Sequence, residues 1–334
     1  MILVTGGAGY VGSVLVEKLL KKGYKVRVFD KFFFGRKPLS KLKGKNLEIV
    51  TGDIRNFSPK IFKGVNVVIH LAGLSNDPTA EFNSVANFEI NTAASIRLAE
   101  ESKKAGISRF IFASSCSVYD LGVLKKSFLK SEESFVNPKA AYSSSKRQAE
   151  KQIIKLAGPN FCVVVLRKGT VFGYSPRMRY DLVVNTMVKD ALSKGRINIY
   201  GQGIQWRPLV DVEDVAVAYI AAVEATPKLV NREIINISAG NFLVRDLAFE
   251  IKKAVEKNYG TNIEVVFTPI KGKVRSYRVS SQKAAKLLKF KTSVTISDSV
   301  IKMVAAVKHN KMDDFDNALY YNIDWMRPIL EKGI

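Results

Sequence analysis

The chain has 334 residues and a mass of 37.1 kDa, and at ~150 residues per domain that length predicts about two domains. With 47% hydrophobic residues and a mean hydropathy of +0.01 it can bury a large core, which excludes intrinsic disorder, and no apolar run reaches the ~18–20 residues of a membrane-spanning helix. Two cysteines, Cys116 and Cys162, and two histidines, His70 and His309, exclude a disulfide framework, a cysteine-rich zinc module and a histidine-built metal centre. The net charge of +23, from 53 basic and 30 acidic residues, carries no recognition-helix or RNA-binding signature, so it is read as a solvated surface around an anionic small substrate, with neither nucleic acid nor membrane as partner.

Residues 1–5 open inside an apolar run, without the basic region and cleavage site of a secretory signal; with two cysteines, a reducing, cytoplasmic setting is expected. Residues 2–5 read as a strand and residues 10–22 as a helix, since Val11, Leu15, Leu19 and Leu20 can share a face. Between them lies Thr5-Gly6-Gly7-Ala8-Gly9-Tyr10-Val11-Gly12. Glycines joining a strand to a helix allow a tight turn and close approach to a pyrophosphate, with the helix N-terminus facing the negative charge. Residues 25–30 form a second strand ending in Asp30, where an acid can bond both ribose hydroxyls and repel a 2′-phosphate. That favours NAD over NADP, although Lys31 and Arg36 stand nearby. The next part, residues 31–45, is basic, contains Gly and Pro, and reads as a loop.

Strands follow at 47–51 and 65–70. Asp53-Ile54 and Leu71-Ala72-Gly73 come after them, where strand ends should border the cofactor: Asp53 can accept from an adenine amine, and Ala72-Gly73 can let a dinucleotide pass closely. His70 reads as a packed strand-end residue. Residues 91–104 read as a helix, 109–114 as a strand leading into Ser114-Ser115-Cys116-Ser117, 141–156 as a helix, and 161–166 as an apolar strand. Apolar strands between amphipathic helices predict a parallel sheet covered on both faces. Tyr142 and Lys146, four apart, share a helix face. A nearby lysine stabilises a phenolate and lowers a pKa of roughly 10, which makes Tyr142 a candidate general base. Residues 167–180 read as a long loop and 211–225 as a helix with Asp211 as N-cap. The aromatic tail, residues 312–334 with Tyr320, Tyr321, Trp325 and Met326, reads as a segment docking on the second domain.

These motifs, in this order, resemble the extended short-chain dehydrogenase/reductases, in particular the NAD-dependent nucleotide-sugar epimerase/dehydratase group. The resemblance rests on the glycine loop, Asp30, Asp53-Ile54, Leu71-Ala72-Gly73, Asn91, Ser115 with Val118-Tyr119, and Tyr142-Ser143-Ser144-Ser145-Lys146. It continues through Leu166-Arg167, Thr170-Val171-Phe172-Gly173, Arg177-Met178-Arg179 and Arg207-Pro208-Leu209-Val210-Asp211-Val212. It implies an α/β fold: a Rossmann-type, doubly wound parallel sheet over residues 1–168, with later returns near 211–237, and a smaller C-terminal domain, mainly 169–334, for substrate. It implies NAD held by Gly6, Gly9, Tyr10, Val11, Gly12, Asp30, Lys31, Asp53, Ile54, Leu71, Ala72, Gly73, Asn91, Tyr142 and Lys146. Ser115, Tyr142 and Lys146 would be catalytic. A nucleoside-diphosphate sugar would meet Ser115, Thr170, Arg177, Arg179 (or Arg179 braces the loop), Asn185, Arg207 and Arg275, the two last on the diphosphate. A homodimer through the helices at 91–104 and 141–156 is also implied.

The dehydratases of that group carry an Asp-Glu pair directly after the catalytic Thr; here those positions are Cys116 and Ser117. Elimination needs a positioned acid and base. What remains is hydride removal and return at one carbon, C4, and the reading is an epimerase. A dehydrogenase, reductase, dehydratase or decarboxylase on the same scaffold is the alternative. A non-catalytic dinucleotide sensor, which would suit the charge, needs no Ser115/Tyr142/Lys146 set.

Overall fold

The computed structural model describes residues 1–119, 128–269, 275–310 and 312–333, and every candidate site residue lies among them. In chain order the elements are β1 (Ile2–Thr5), α1 (Tyr10–Lys21), β2 (Val26–Asp30), β3 (Leu47–Thr51), β4 (Val67–His70), α2 (Asp77–Phe82), α3 (Ser84–Phe88), α4 (Ser95–Lys104), β5 (Arg109–Ser115), β6 (Leu129–Lys130), α5 (Ala141–Ile153) and β7 (Cys162–Lys168). Then come β8 (Thr170–Phe172), α6 (Val183–Lys194), β9 (Arg196–Tyr200), β10 (Trp206–Asp211), α7 (Val212–Glu224), α8 (Pro227–Val230), β11 (Glu233–Ile237), β12 (Gly240–Leu243), α9 (Val244–Tyr259), β13 (Glu264–Thr268), β14 (Arg278–Val279), α10 (Gln282–Leu288), α11 (Ile296–Asn310) and α12 (Asn322–Glu331).

Seven strands form one parallel sheet in the order β11-β7-β5-β4-β1-β2-β3. The strand order reverses between β1 and β4, which opens a crevice at their carboxyl ends. The central strands are buried on both faces, as their uninterrupted apolar runs predict. Alternate side chains feed two cores. Val4, Val28, Ile111 and Leu166 pack towards α1 and α7; Leu3, Phe29, Phe110, Phe112 and Val165 pack towards α4 and α5. Asp211 caps α7 as expected, its carboxylate accepting from the Glu213 N–H at 2.7 Å. A third core lies among α6, α9 and α11, beside the small sheets β12-β10-β8 and β13-β9.

Three elements depart from the sequence reading. The helix expected from residue 91 is preceded by a π-helical turn, Glu89–Ala94. Side chains hold that widened turn: Asn91 Nδ2 donates to the Leu74 carbonyl at 2.8 Å and Thr92 Oγ1 to the Ser145 carbonyl at 3.1 Å. The loop at 167–180 contains β8, which exists because it pairs in parallel with β10, some forty residues on. Only part of the tail packs as expected. Phe315, Tyr320 and Tyr321 join the third core, whereas Trp325, Met326 and Leu330 pack into the α4–α5 core of the large sheet.

Candidate active site

The carboxyl ends of β1, β2, β4, β5 and β7 border one large cavity, closed from the other side by β8, Arg207, Arg275 and α12. The glycine loop forms its floor. A Cβ on Gly6 would lie 2.6 Å from the Ala72 nitrogen, and one on Gly12 2.2 Å from the Gly6 carbonyl oxygen, so neither position has room for a side chain. Gly6 also adopts φ +72°, in the left-handed region. No side chain caps α1, and its first turn carries no acid. This helix start therefore offers its N–H groups and positive dipole end to an anion.

Asp30 sits at the end of β2 with Oδ2 accepting from the Ala8 N–H at 2.9 Å and Oδ1 from the Phe32 N–H at 2.7 Å. Burial raises its pKa, and these two N–H groups oppose the rise. The acid is thus oriented into the cavity with lone pairs left for hydroxyl donors. Asp53 lines the same wall, but it is engaged by Lys31 at 2.8 Å and Arg55 at 2.7 Å. Burial opposes them, yet their hydrogen bonds hold its carboxyl well below the usual range. Ile54, Leu71, Ala72 and Gly73 line the cavity as expected.

Asn91 and Asn185 do not line the cavity. Asn91 is fully buried behind Gly73: a Cβ at Gly73 would approach its Oδ1 to 2.5 Å and the Lys146 Nζ to 3.3 Å. Its Oδ1 has no partner among the described residues. Asn185, also fully buried, is used up within the fold. Its Oδ1 accepts from the Gly173 N–H at 2.9 Å, and its Nδ2 donates to the Tyr10 hydroxyl at 3.1 Å and the Arg179 carbonyl at 2.8 Å. With both amide atoms engaged, it fastens the Gly173 loop to α1. Tyr10 completes the knot, donating to the Gly173 carbonyl at 2.6 Å, and also borders the cavity. His70 is packed, with Thr5 and Ser95 hydroxyls on its two nitrogens, and burial depresses its pKa to about 3.

Ser115 ends β5, and Tyr142 and Lys146 project from the first turns of α5; all three line the cavity. The Ser115 hydroxyl accepts from the Ser117 N–H at 3.2 Å and hydrogen-bonds Tyr142. Burial, reinforced by Asp77, pushes the Tyr142 phenol up to about 12, against the pull of Arg179 and Ser115. The lowering expected from Lys146 is therefore not seen: burial outweighs the lowering contributions, which come from Arg179 and Ser115. Lys146 is itself depressed by burial to about 8, with Glu150 opposing. Glu150 is fully buried. It accepts from Arg167 at 2.7 and 2.9 Å, and from Ser114 Oγ, which ties α5 to β5 and β7 and fixes the separation of Tyr142 from Ser115. Ser117 shares the cavity with Ser115, while Cys116 points into the protein with its thiol on the Arg167 carbonyl.

On the opposite wall stand Thr170, Arg177, Arg179, Arg207 and Arg275. Arg179 forms a two-pronged pair with Asp181 at 2.8 and 2.9 Å, which braces its loop. Arg177 stacks on the Phe34 ring at 3.6 Å. Arg207 donates to the Arg275 carbonyl, and Arg275 pairs with Asp77 at 2.6 Å. That ion pair spans the cavity from α2 to the segment before β14. Asp77→Asn would remove the charge that raises the Tyr142 phenol, so the acid limb of the pH–rate profile should move to lower pH; a shift to higher pH would contradict the geometry.

The sequence reading missed Asp77, Lys168 and Asn322. Lys168 ends β7 opposite Ser115 in register, and among the described residues its ammonium meets the Ser114 carbonyl at 3.0 Å and the Tyr219 hydroxyl at 3.4 Å. Burial, with repulsion from Lys146, lowers it to about 7. A cation placed directly after Leu166-Arg167, at the mouth of an apolar strand, was the available signal. Asp77 and Asn322 reach the site only through tertiary packing.

The family model for the NAD dependent epimerase/dehydratase family matches residues 2–238. Bacillus subtilis YtcB, named an uncharacterized UDP-glucose epimerase, is 30% identical over 322 residues, 91% of this chain and 96% of that protein. Among solved structures, UDP-glucose 4-epimerase from Thermotoga maritima with UDP-glucose is 27% identical with a TM-score of 0.80, over 93% of this chain and 99% of that one. UDP-glucuronic acid 4-epimerase from Bacillus cereus, with UDP-glucuronic acid and NAD, is 27% identical with a TM-score of 0.79, over 92% and 99%.

Proposed function

The chain belongs to the NAD-dependent epimerase/dehydratase family, and from that premise we propose that it inverts C4 of a nucleoside-diphosphate sugar through a transient 4-keto sugar. Its cofactor is NAD. The glycine loop without room for Cβ atoms, the uncapped start of α1 and the preset Asp30 carboxylate fit a dinucleotide's pyrophosphate and ribose. When bound, NAD⁺ supplies a hydride acceptor for the sugar carbon and brings positive charge into the cavity.

Tyr142 takes the proton of the sugar hydroxyl, and Ser115 hydrogen-bonds the same oxygen as it becomes a carbonyl. Lys146, four residues on along α5 and on the same cavity wall, is placed to hold the cofactor's ribose, and Tyr142 gives the proton back when the keto sugar is reduced from its other face. Arg207 and Arg275 are suited to the diphosphate as fork-shaped cations. Uridine diphosphate is the nucleotide named for the relatives, and a UDP-hexose is the substrate to try first.

One observation carries the choice of reaction: no carboxylate lining the cavity among the described residues is placed to drive an elimination. Asp30 is fixed by backbone N–H groups, Asp53 by Arg55 and Lys31, and Asp77 by Arg275. After Ser115 stand a thiol whose pKa burial raises and a serine. The test is incubation with UDP-, GDP-, CDP- and dTDP-sugars and analysis of products; formation of a C4 epimer supports the reading, and net NADH accumulation with an oxidised sugar contradicts it. Arg207→Ala should raise the KM for the sugar nucleotide about tenfold or more, the worth of a lost charge-assisted hydrogen bond, with NAD affinity unchanged. Unchanged sugar-nucleotide binding by calorimetry would remove Arg207 from the site.

The proposal includes a cytoplasmic homodimer. No helix among the described residues is long and apolar enough to cross a membrane, and both cysteines are free and buried. Phe82, Val85 and Phe88, beside α5, are exposed apolar side chains for a partner copy to cover. Light scattering of the purified protein measures the mass.

A further inference from the structure

We infer that Asn322 and Trp325 of α12 belong to the cofactor site, fastening the segment after Asp30 so that NAD stays bound through successive turnovers. The family model ends at residue 238, and the sequence motifs leave this aromatic tail without a role.

The segment in question, Phe32 to Gly35, lines the cavity next to Asp30. It is not held by regular structure. Phe32 adopts φ +59° and Gly35 φ +76°, and the left-handed conformation is costly for an aromatic residue, so other contacts must hold it there. Three come from outside β2. The Trp325 indole N–H donates to the Phe33 carbonyl at 2.6 Å. Phe33 and Phe34 pack against the core that holds Trp325, Met326 and Leu330. The Arg177 guanidinium lies on the Phe34 ring and donates to Asn322 Oδ1 at 2.6 Å.

Asn322 is the hub. It is 5% exposed. Its Nδ2 donates to the Ser75 hydroxyl at 2.7 Å and the Ser75 carbonyl at 3.1 Å, and its backbone N–H donates to Asp181 at 3.1 Å. Asn322 thereby joins the walls after β4 and after β8, and reaches the segment after β2 through Arg177, which lies on Phe34. Asn322 and Met326 also line the cavity themselves.

The ligand enclosed is the dinucleotide rather than the sugar nucleotide. The fastened segment begins at Asp30, beside the glycine loop, whereas the diphosphate candidates are anchored elsewhere, Arg207 on Arg275 and Arg275 on Asp77. The purpose, though not the site, rests on the epimerase reading: an enzyme that returns the hydrogen to the same sugar regenerates its NAD⁺ each cycle and has no need to exchange it.

The test is the rate at which full-length protein loaded with NAD releases it, followed by displacement with excess NADH and fluorescence detection. Trp325→Phe keeps the aromatic packing and loses one hydrogen bond, so NAD should leave roughly three- to tenfold faster, the worth of one buried hydrogen bond. Asn322→Ala should accelerate release further. Sugar-nucleotide affinity should stay at the parent value in Trp325→Phe, whose lost hydrogen bond is on the Phe33 carbonyl. If Asn322→Ala fails to fold, Trp325→Phe decides alone, with its melting temperature as the check on folding. Unchanged NAD release from folded Trp325→Phe would overturn the inference while leaving epimerisation intact; loss of epimerisation in the parent protein would instead sink the functional reading and leave the release rates as they are.

Discussion

Tyr142→Phe is expected to lower turnover by about 10²–10⁴-fold, the usual contribution of a positioned general base, while the protein still binds NAD. The ring lies on the cavity wall, so its aromatic contacts survive the change and only the hydroxyl that hydrogen-bonds Ser115 is lost. Because the phenol is pushed up to about 12, the active phenolate is scarce at neutral pH unless bound ligands lower that pKa. The parent enzyme's rate should therefore rise with pH through its acid limb, and the variant should lose that dependence. Steady-state kinetics over a pH series, beside NAD titration, checks both; near-parent turnover would mean that another group takes the proton.

Gly12→Ala is expected to weaken NAD binding by roughly 10- to 100-fold. The added methyl would sit 2.2 Å from the Gly6 carbonyl oxygen and 2.7 Å from the Gly7 Cα. Both obstacles are backbone, so the loop itself must open. Overpacking of this kind costs about 1–3 kcal/mol, which corresponds to the stated loss in affinity if the strain is relieved at the pyrophosphate site. Gly12 is helical, so its requirement is space rather than a special φ. Calorimetric titration with NAD is the measurement, and parent affinity would show that the loop does not shape the site.

What was readable in the sequence was what is encoded locally. The glycine loop, Asp30, and the Tyr142–Lys146 pair each depend on a strand or helix whose spacing is visible within a dozen residues, and the structure brings them to one cavity. The burial of Asn185 and Asn91 behind the cavity wall is not legible, because a buried amide is indistinguishable in sequence from a ligand-facing one; only the fold shows that Asn185 bonds Gly173, Tyr10 and Arg179. The short strand β8 is defined by its partner β10, and the docking of α12 by Phe33 and Ser75, nearly three hundred and two hundred and fifty residues away. The sign of the Tyr142 shift was likewise hidden: Lys146 was legible as a neighbour, but burial of both groups and the approach of Asp77 are tertiary facts.

The most direct measurement is the reaction with a UDP-hexose in deuterated water, with products followed by proton NMR. The account predicts interconversion of the C4 epimers with every carbon-bound hydrogen unlabelled, because the hydrogen taken from C4 is the one returned and Tyr142 exchanges only the hydroxyl proton. Deuterium at C5, or a 6-deoxy-4-keto product, would contradict it.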